Sequence, residues 1–126
     1  MPKLYYASPR DLPFIEPHPG VKGRVVHGQN ATMIVYDYAP RTVIETHKHD
    51  VEQVGVVVKG SLAMVVAGEQ RILNSGDTFR VPGGTAHGAR VFEEATQIIE
   101  VFSPPRTDLP KTPGSAPPKP SPAPSQ

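Results

Sequence analysis

Three histidines and one glutamine stand at spacings that suit a metal ion: His47, His49, Gln53 and His87. In an extended strand, residues two apart point to the same face. Their Cβ atoms are then about 7 Å apart, at a rise of ~3.3 Å per residue. Two imidazoles at that spacing, His47 and His49, can converge on one ion. Gln53 follows after three residues, at the start of an apolar run, and offers an amide oxygen. His87 comes after the Pro82-Gly83-Gly84 turn. Glu52 is the alternative oxygen donor, but adjacent strand residues face opposite ways, so only one of the two can share the histidines' side. Imidazoles and an amide carry no charge, so a divalent ion held by them keeps its full charge. Such an ion attracts an anionic substrate and polarises carbonyl or hydroxyl oxygens as a Lewis acid. Nitrogen and oxygen donors suit Fe, Mn, Ni, Co or Zn alike. The remaining histidines, His18 and His27, have no partner pattern and read as ordinary surface or packed residues.

A second pattern lies near the C-terminal end. In the run Thr96–Phe102, Ile98, Glu100 and Phe102 share one face. A carboxylate flanked by apolar residues on a central strand is unusual unless it faces a pocket. Arg106 follows shortly after, at the end of Glu100-Val101-Phe102-Ser103-Pro104-Pro105-Arg106.

The elements that must position these residues are short and β-branched. Strands are predicted at 24–27, 32–38, 43–47, 52–59, 61–66, 69–73, 78–81, 87–91 and 96–102. Turn residues separate them, including Lys59-Gly60, Ala67-Gly68 and Asn74-Ser75-Gly76-Asp77. No sustained 3.6-residue period occurs, so helix is limited to a turn near 8–12. Many short strands at regular spacing predict a sandwich or barrel. The run Val54–Val58 is apolar on both faces, as in a strand covered on both sides. A second subunit is the cover expected for so small a barrel, which predicts a homodimer.

The 126 residues suit one domain, with residues 1–106 folded and a core of about 21–106. Residues 107–126 are Pro-rich, with Leu109 as their one large apolar side chain, and are expected to form a flexible tail. The net charge is +1 and no basic patch stands out, which argues against nucleic acid. No apolar run is long enough to span a membrane, and the N-terminal residues lack a signal-peptide core. There is no cysteine, which excludes thiolate metal sites and disulfides. A cytoplasmic location fits these features.

Two stretches together resemble the motifs of the cupin superfamily. The first is His47-x-His49, three residues, Gln53, six residues, Gly60. The second is Gly76, five residues, Pro82-x-Gly84, two residues, His87. The sequence departs from the family pattern at three places. Arg41 replaces an initial Gly, Val91 replaces a final Asn, and Gln53 replaces the commoner Glu. The resemblance implies an all-β cupin double-stranded β-helix, a jelly-roll β-barrel, with one divalent transition metal on His47, His49, Gln53 and His87. The ending Glu100–Arg106 is similar to the closing strand of the KdgF-like small cupins, which open the ring of 4,5-unsaturated uronates. That likeness implies Glu100 as the acid, Phe102 beside it, and Arg106 as the partner of the substrate carboxylate. The acid in that group is usually Asp, so Glu100 is one methylene longer. Gly55 leaves out a pocket side chain expected two residues after Gln53. The expected function is therefore metal-dependent ring opening or isomerisation of a small anionic substrate. A metal-dependent cupin dioxygenase and a non-catalytic metal- or ligand-binding cupin are the alternatives.

Overall fold

The computed structural model of the protein describes residues 5–113. One 3-10 turn, Pro9–Asp11, precedes ten strands. They are β1 (Phe14–His18), β2 (Val21–His27), β3 (Thr32–Tyr38), β4 (Val43–His47), β5 (Glu52–Lys59), β6 (Ser61–Val66), β7 (Glu69–Asn74), β8 (Thr78–Val81), β9 (His87–Val91) and β10 (Thr96–Ser103). One sheet has the order β1-β2-β3-β10-β5-β8 and the other β4-β9-β6-β7. Every pairing is antiparallel. Among the described residues no helix is long and apolar enough to cross a membrane.

Strand alternation decides what lies between the sheets. On β3, Thr32, Ile34, Tyr36 and Tyr38 are buried, and on β10, Thr96, Ile98, Glu100 and Phe102. The two strands pair directly, with Ile98 opposite Tyr36 and Phe102 opposite Thr32. Val21, Val25, Ile34, Val57, Leu62, Val91 and Ile98 form a dry core, each at most 2% exposed. Burying one such side chain stabilises the fold by roughly 1.5–3 kcal/mol. This apolar packing holds the two sheets against each other. The inward polar residues Gln53, His87 and Glu100 are then carried into the same interior.

The structure adds one strand to the expected set and lengthens three others. β1 contains Pro17, which has no N–H for a sheet ladder and is confined to edges or irregularities. Here it meets both conditions. β1 is an edge strand, and its register with β2 shifts between Ile15 and His18. β2 starts at Val21 rather than Arg24 because Gly23 is useful there. A Cβ on Gly23 would lie 3.0 Å from Ile34 and 3.1 Å from Ile15 and Tyr36. β7 and β10 each run one residue further than expected.

The first residues assigned to the tail lie on the barrel. Just before that segment the Arg106 backbone N–H donates to Thr32 Oγ1 at 2.8 Å, and within it the Pro110 carbonyl accepts from His27 Nε2 at 2.7 Å. Leu109 packs against the core cluster. Its apolar side chain, the one exception in a polar segment, finds a hydrophobic seat. Residues 114–126 of the expected tail lie outside the described residues.

On the outer face of the six-stranded sheet, cross-strand register aligns apolar residues. Met33, Val101 and Val54 form one row and Val35, Ile99 and Val56 the next. Val54 and Val58 are 41% and 39% exposed. The inner face of the β5 run is covered by the core, through Val57, while its outer face is open in the single chain.

Gly60, between β5 and β6, has φ +90°, and a side-chain carbon there would overlap Thr96 Oγ1 and lie 2.9 Å from the Ala95 carbonyl. Gly68 has φ +81° but open space around it. Left-handed backbone alone costs a non-glycine residue about 1–2 kcal/mol. Gly68→Ala should lose only that amount in urea unfolding, and Gly60→Ala should lose clearly more. Equal losses would show that the contact with Thr96 relaxes freely.

Candidate metal centre and pocket

The three histidines come from two places on the four-stranded sheet. His47 ends β4 and pairs with His87, the first residue of β9. His49 lies two residues beyond His47, just past the end of β4. Its backbone carbonyl accepts from Gly84 N–H at 2.7 Å, which ties this segment to the turn before His87. The ring centroids are 4.4 Å apart for His47–His87, 4.9 Å for His49–His87 and 5.6 Å for His47–His49. One ring nitrogen of each histidine lies within 4.8 Å of those of the other two.

Local hydrogen bonds decide which nitrogens face inward. His47 Nδ1 is 2.8 Å from the Glu45 carbonyl, His49 Nδ1 3.0 Å from that of Val51, and His87 Nδ1 2.8 Å from that of Thr85. A carbonyl can only accept, so each Nδ1 carries a hydrogen, and in a neutral ring Nε2 is then the nitrogen that keeps a lone pair. His87 Nε2 is buried and has no hydrogen-bond partner. Burial lowers the pKa of both His49 and His87, against the opposing pull of their carbonyl partners. Neutral imidazoles with convergent lone pairs and an orphaned buried Nε2 fit a divalent transition metal. The same Nδ1–H···O=C bonds would hold the rings in register for it.

Gln53 faces the histidine group from the other sheet. It sits on β5 opposite Phe102 of β10. Its Nε2 donates to Glu100 Oε2 at 3.1 Å, and Gln53, His87 and Glu100 are 4%, 3% and 6% exposed. With the amide nitrogen turned to Glu100, the amide oxygen is left for the histidine side, and the Gln53 side chain also lies against His49. This explains why an amide suits the position. A carboxylate at residue 53 would put two buried acids side by side, and both could not ionise. Glu52, the alternative donor, is exposed on the outer side and within 4.0 Å of Arg80.

Glu100 is buried without an ion-pair partner in contact. Burial pushes its pKa up to about 7, and the nearby Arg106 pulls the other way. The inward tyrosines also face it. Tyr36 and Tyr38 line the same cavity, with rings edge-on at 5.7 Å, and burial followed by the charge of Glu100 raises both phenol pKa values.

Phe102 and Arg106 line the wall of this cavity. Phe102 is 2% exposed, belongs to the core and comes within 6.1 Å of the His49 ring. It is core and cavity wall at once. The Arg106 guanidinium lies over the Phe102 ring, 5.0 Å from its centroid. It forms no hydrogen bond to Glu100. Instead it pairs with Asp108, Nε to Oδ1 at 3.0 Å and Nη2 to Oδ2 at 2.9 Å.

Other placements differ from the sequence reading. His18, taken as an ordinary histidine, lines the cavity on the His47 side, and burial lowers its pKa. Tyr36 and Tyr38 were not singled out, although strand alternation across Thr32, Ile34, Tyr36 and Tyr38 puts them on one face. Gly55 does not leave an open space. A side-chain carbon there would overlap the Phe79 ring and lie 2.9 Å from the Ile99 carbonyl, so Phe79 of β8 already fills that position.

Comparison with known proteins agrees with this architecture. The family profile described as "Cupin domain" matches residues 34–102. The pectin degradation protein KdgF of Dickeya dadantii (strain 3937) is 34% identical over 101 residues, covering 79% of this chain and 92% of that protein. The structure of KdgF from Halomonas sp. superposes with a TM-score of 0.71 at 31% identity, over 75% of this chain and 88% of that one. An RmlC-like cupin from Shewanella frigidimarina NCIMB 400 has a TM-score of 0.76 at 24% identity, over 84% and 96% of the two chains, and shares the fold. With its two antiparallel sheets, its interior histidines and these relatives, the chain belongs to the cupin family.

Proposed function

We propose that the protein is a metal-dependent cupin enzyme that opens the ring of a small 4,5-unsaturated uronate. The observation that carries this reading is the buried Gln53–Glu100 hydrogen bond beside three converging histidines, with Arg106 on the wall of the same cavity. The likeness to two KdgF proteins, one described as a pectin degradation protein, supports the substrate class.

His47, His49, Gln53 and His87 would hold the ion. Once bound, a divalent transition metal would supply Lewis-acid polarisation of a substrate oxygen. The other roles belong to the chain. In ring opening, the anomeric hydroxyl proton leaves, the C1–O5 bond breaks to give an aldehyde, and the enol at C5 becomes a ketone by protonation at C4. The molecular formula is unchanged, so the enzyme needs a proton carrier and no oxidant. Glu100, with a pKa of about 7, can hold or release a proton at neutral pH. Gln53 engages its Oε2, which leaves Oε1 to carry that proton. The Arg106 guanidinium retains Nη1 and one Nη2 hydrogen for the substrate carboxylate. Phe102 backs both groups and keeps water from that side of the pocket.

We also propose a homodimer through the outer face of the six-stranded sheet, where Val54, Val56, Ile99 and Val101 lie together. An open apolar face of this kind suits association. Light scattering after size exclusion should give twice the chain mass for the wild type, and Val54→Lys should shift it towards the single chain. A wild-type single chain would remove the proposal.

Equilibration with Zn²⁺ or Mn²⁺ followed by elemental analysis should give about one ion per chain. The double substitution His47→Ala, His49→Ala should abolish retention. Undiminished metal in that variant would place the ion elsewhere. The metal-loaded wild type should remove the ultraviolet absorbance of the conjugated C4=C5 bond of an unsaturated galacturonate. No turnover of that substrate or its epimers would reject the reaction.

Glu100→Gln keeps the size of the side chain and removes its proton. It should lower kcat by about 10²-fold or more. Its effect on stability has a definite sign in the metal-free protein. The folded pKa lies above the ordinary value of 4.5, at about 7, so the native state keeps a proton that the unfolded chain releases. Stability from protonated Glu100 is full below the ordinary value and is lost as pH rises through the folded one. Urea unfolding should therefore show the wild type losing ground to Glu100→Gln across that window, by on the order of 3 kcal/mol. A difference that stays flat with pH would show that Glu100 is ionised throughout.

A further inference from the structure

We propose that Asp108 is a positioning residue that fixes Arg106, so that the free edge of its guanidinium meets the substrate carboxylate. The inference rests on the reading of Arg106 given above and adds a residue to it.

Arginine has a long stem with several rotatable bonds, and holding it still has an entropic cost. Here the chain secures both ends. At the backbone, Arg106 N–H donates to the fully buried Thr32 Oγ1 at 2.8 Å. At the tip, Asp108 takes Nε–H and one Nη2–H, at 3.0 and 2.9 Å. A turn after Arg106 brings Asp108 back under the side chain of a residue only two positions earlier. That turn is itself secured, because Leu109 packs on the core and the Pro110 carbonyl accepts from His27.

The donor count defines what remains. A guanidinium has five N–H groups in a planar fork. Two are used by Asp108. Among the described residues Nη1 has no hydrogen-bond partner, and it is not sealed from solvent. The remaining edge, Nη1 with the second Nη2 hydrogen, matches a carboxylate bidentately. The plane of the fork is set by the Phe102 ring beneath it.

Asp108 and Arg106 differ in their surroundings in the way this role requires. The Arg106 side chain is 14% exposed and that of Asp108 63%. The acid is held ionised, first by its hydrogen bond from Arg106. Exposure weakens its charge, although its field still reaches the buried Tyr36 phenol, so it offsets only part of the attraction that the arginine exerts inside the cavity. What it supplies is orientation.

Kinetics on unsaturated galacturonate with metal-loaded protein test this. Asp108→Ala should raise KM roughly three- to tenfold, the cost of immobilising one long side chain at binding. Its kcat should stay within about twofold, because Asp108 touches no reacting atom. Asp108→Asn removes the same charge but keeps one acceptor, so its KM should fall between. Placed in an Arg106→Ala background, Asp108→Ala should have no further effect, since it acts through the arginine. A lowered KM in both Asp108 variants would mean that the acid competes with substrate, and would overturn the proposal. A full additional loss in the Arg106→Ala background would mean that Asp108 only braces the turn, and would also overturn it. Normal kinetics for Arg106→Ala would instead remove the carboxylate role of Arg106 itself. The Arg106 Nε–H resonance tests the clamp whatever the substrate. It should be resolved and slow to exchange in the wild type and be lost in Asp108→Ala. A resonance unchanged in that variant would overturn the clamp.

Discussion

Three imidazoles converge on one point, two of them half-buried and the third, His87, buried, and their lone pairs repel one another; much of the site follows from how the fold tolerates this. The rings could relieve the repulsion by rotating, but each is pinned by an Nδ1–H bond to a carbonyl two residues away in sequence. Water can reach the half-buried His47 and His49, but His87 Nε2 is sealed and unpartnered, so the cost falls on that ring. The dry packing of Ile34, Leu62, Val91 and Ile98 keeps the sheets closed and so keeps the lone pairs together. The arrangement is costly in the absence of a positive charge. A cation would turn that cost into binding energy, which is how a small apolar core can support a polar centre.

The second sheet answers with a graded set of charges. Gln53 is neutral and closest to the histidines, Glu100 is an acid held near neutrality, and Arg106 is a full cation paired with a solvent-facing acid. Cross-strand register produces this order. Gln53 lies opposite Phe102, and Glu100 is two residues along the same inward face of β10. Arg106 follows as the chain leaves the sheet and is turned back over Phe102. An insertion of one residue in β10 would flip Glu100 outward and break the gradient. Gln53 and Glu100 therefore function as a unit, in which the amide makes the acid's burial tolerable and the acid orients the amide.

Where local chemistry determines structure, the sequence was readable. The bounds of β3, β4, β5, β6, β8 and β9 follow from β-branched runs bounded by Gly, Pro and Asn. The His47-x-His49 spacing and the turn before His87 marked the histidine cluster, and the alternation in β10 marked Glu100 as inward. The features that were missed depend on pairing across the chain. β1 is a strand only because β2 gives it a partner that tolerates Pro17. His18, at the end of that edge strand, lines the cavity near His47, and nothing near His18 in the sequence points there. Asp108 was read as the start of a flexible tail because its neighbours are polar and Pro-rich. Its two-residue separation from Arg106 was visible, but that the chain turns back is a tertiary fact, secured by Leu109 and His27.

The tyrosine pair on the cavity wall gives the molecule its own optical reporter. The chain has no tryptophan and four tyrosines, so its near-ultraviolet emission comes from tyrosine alone. Tyr5 and Tyr6 are 80% and 92% exposed, whereas Tyr36 and Tyr38 are buried edge-to-face beside Glu100. External quenchers reach the first two and leave the second two, so the emission divides into a solvent fraction and an interior fraction. The interior fraction looks directly onto the cavity, where a paramagnetic ion or a conjugated acid would dim it by energy or electron exchange. Occupancy of the site can thus be read from the unlabelled protein, without an engineered fluorophore in so small a barrel.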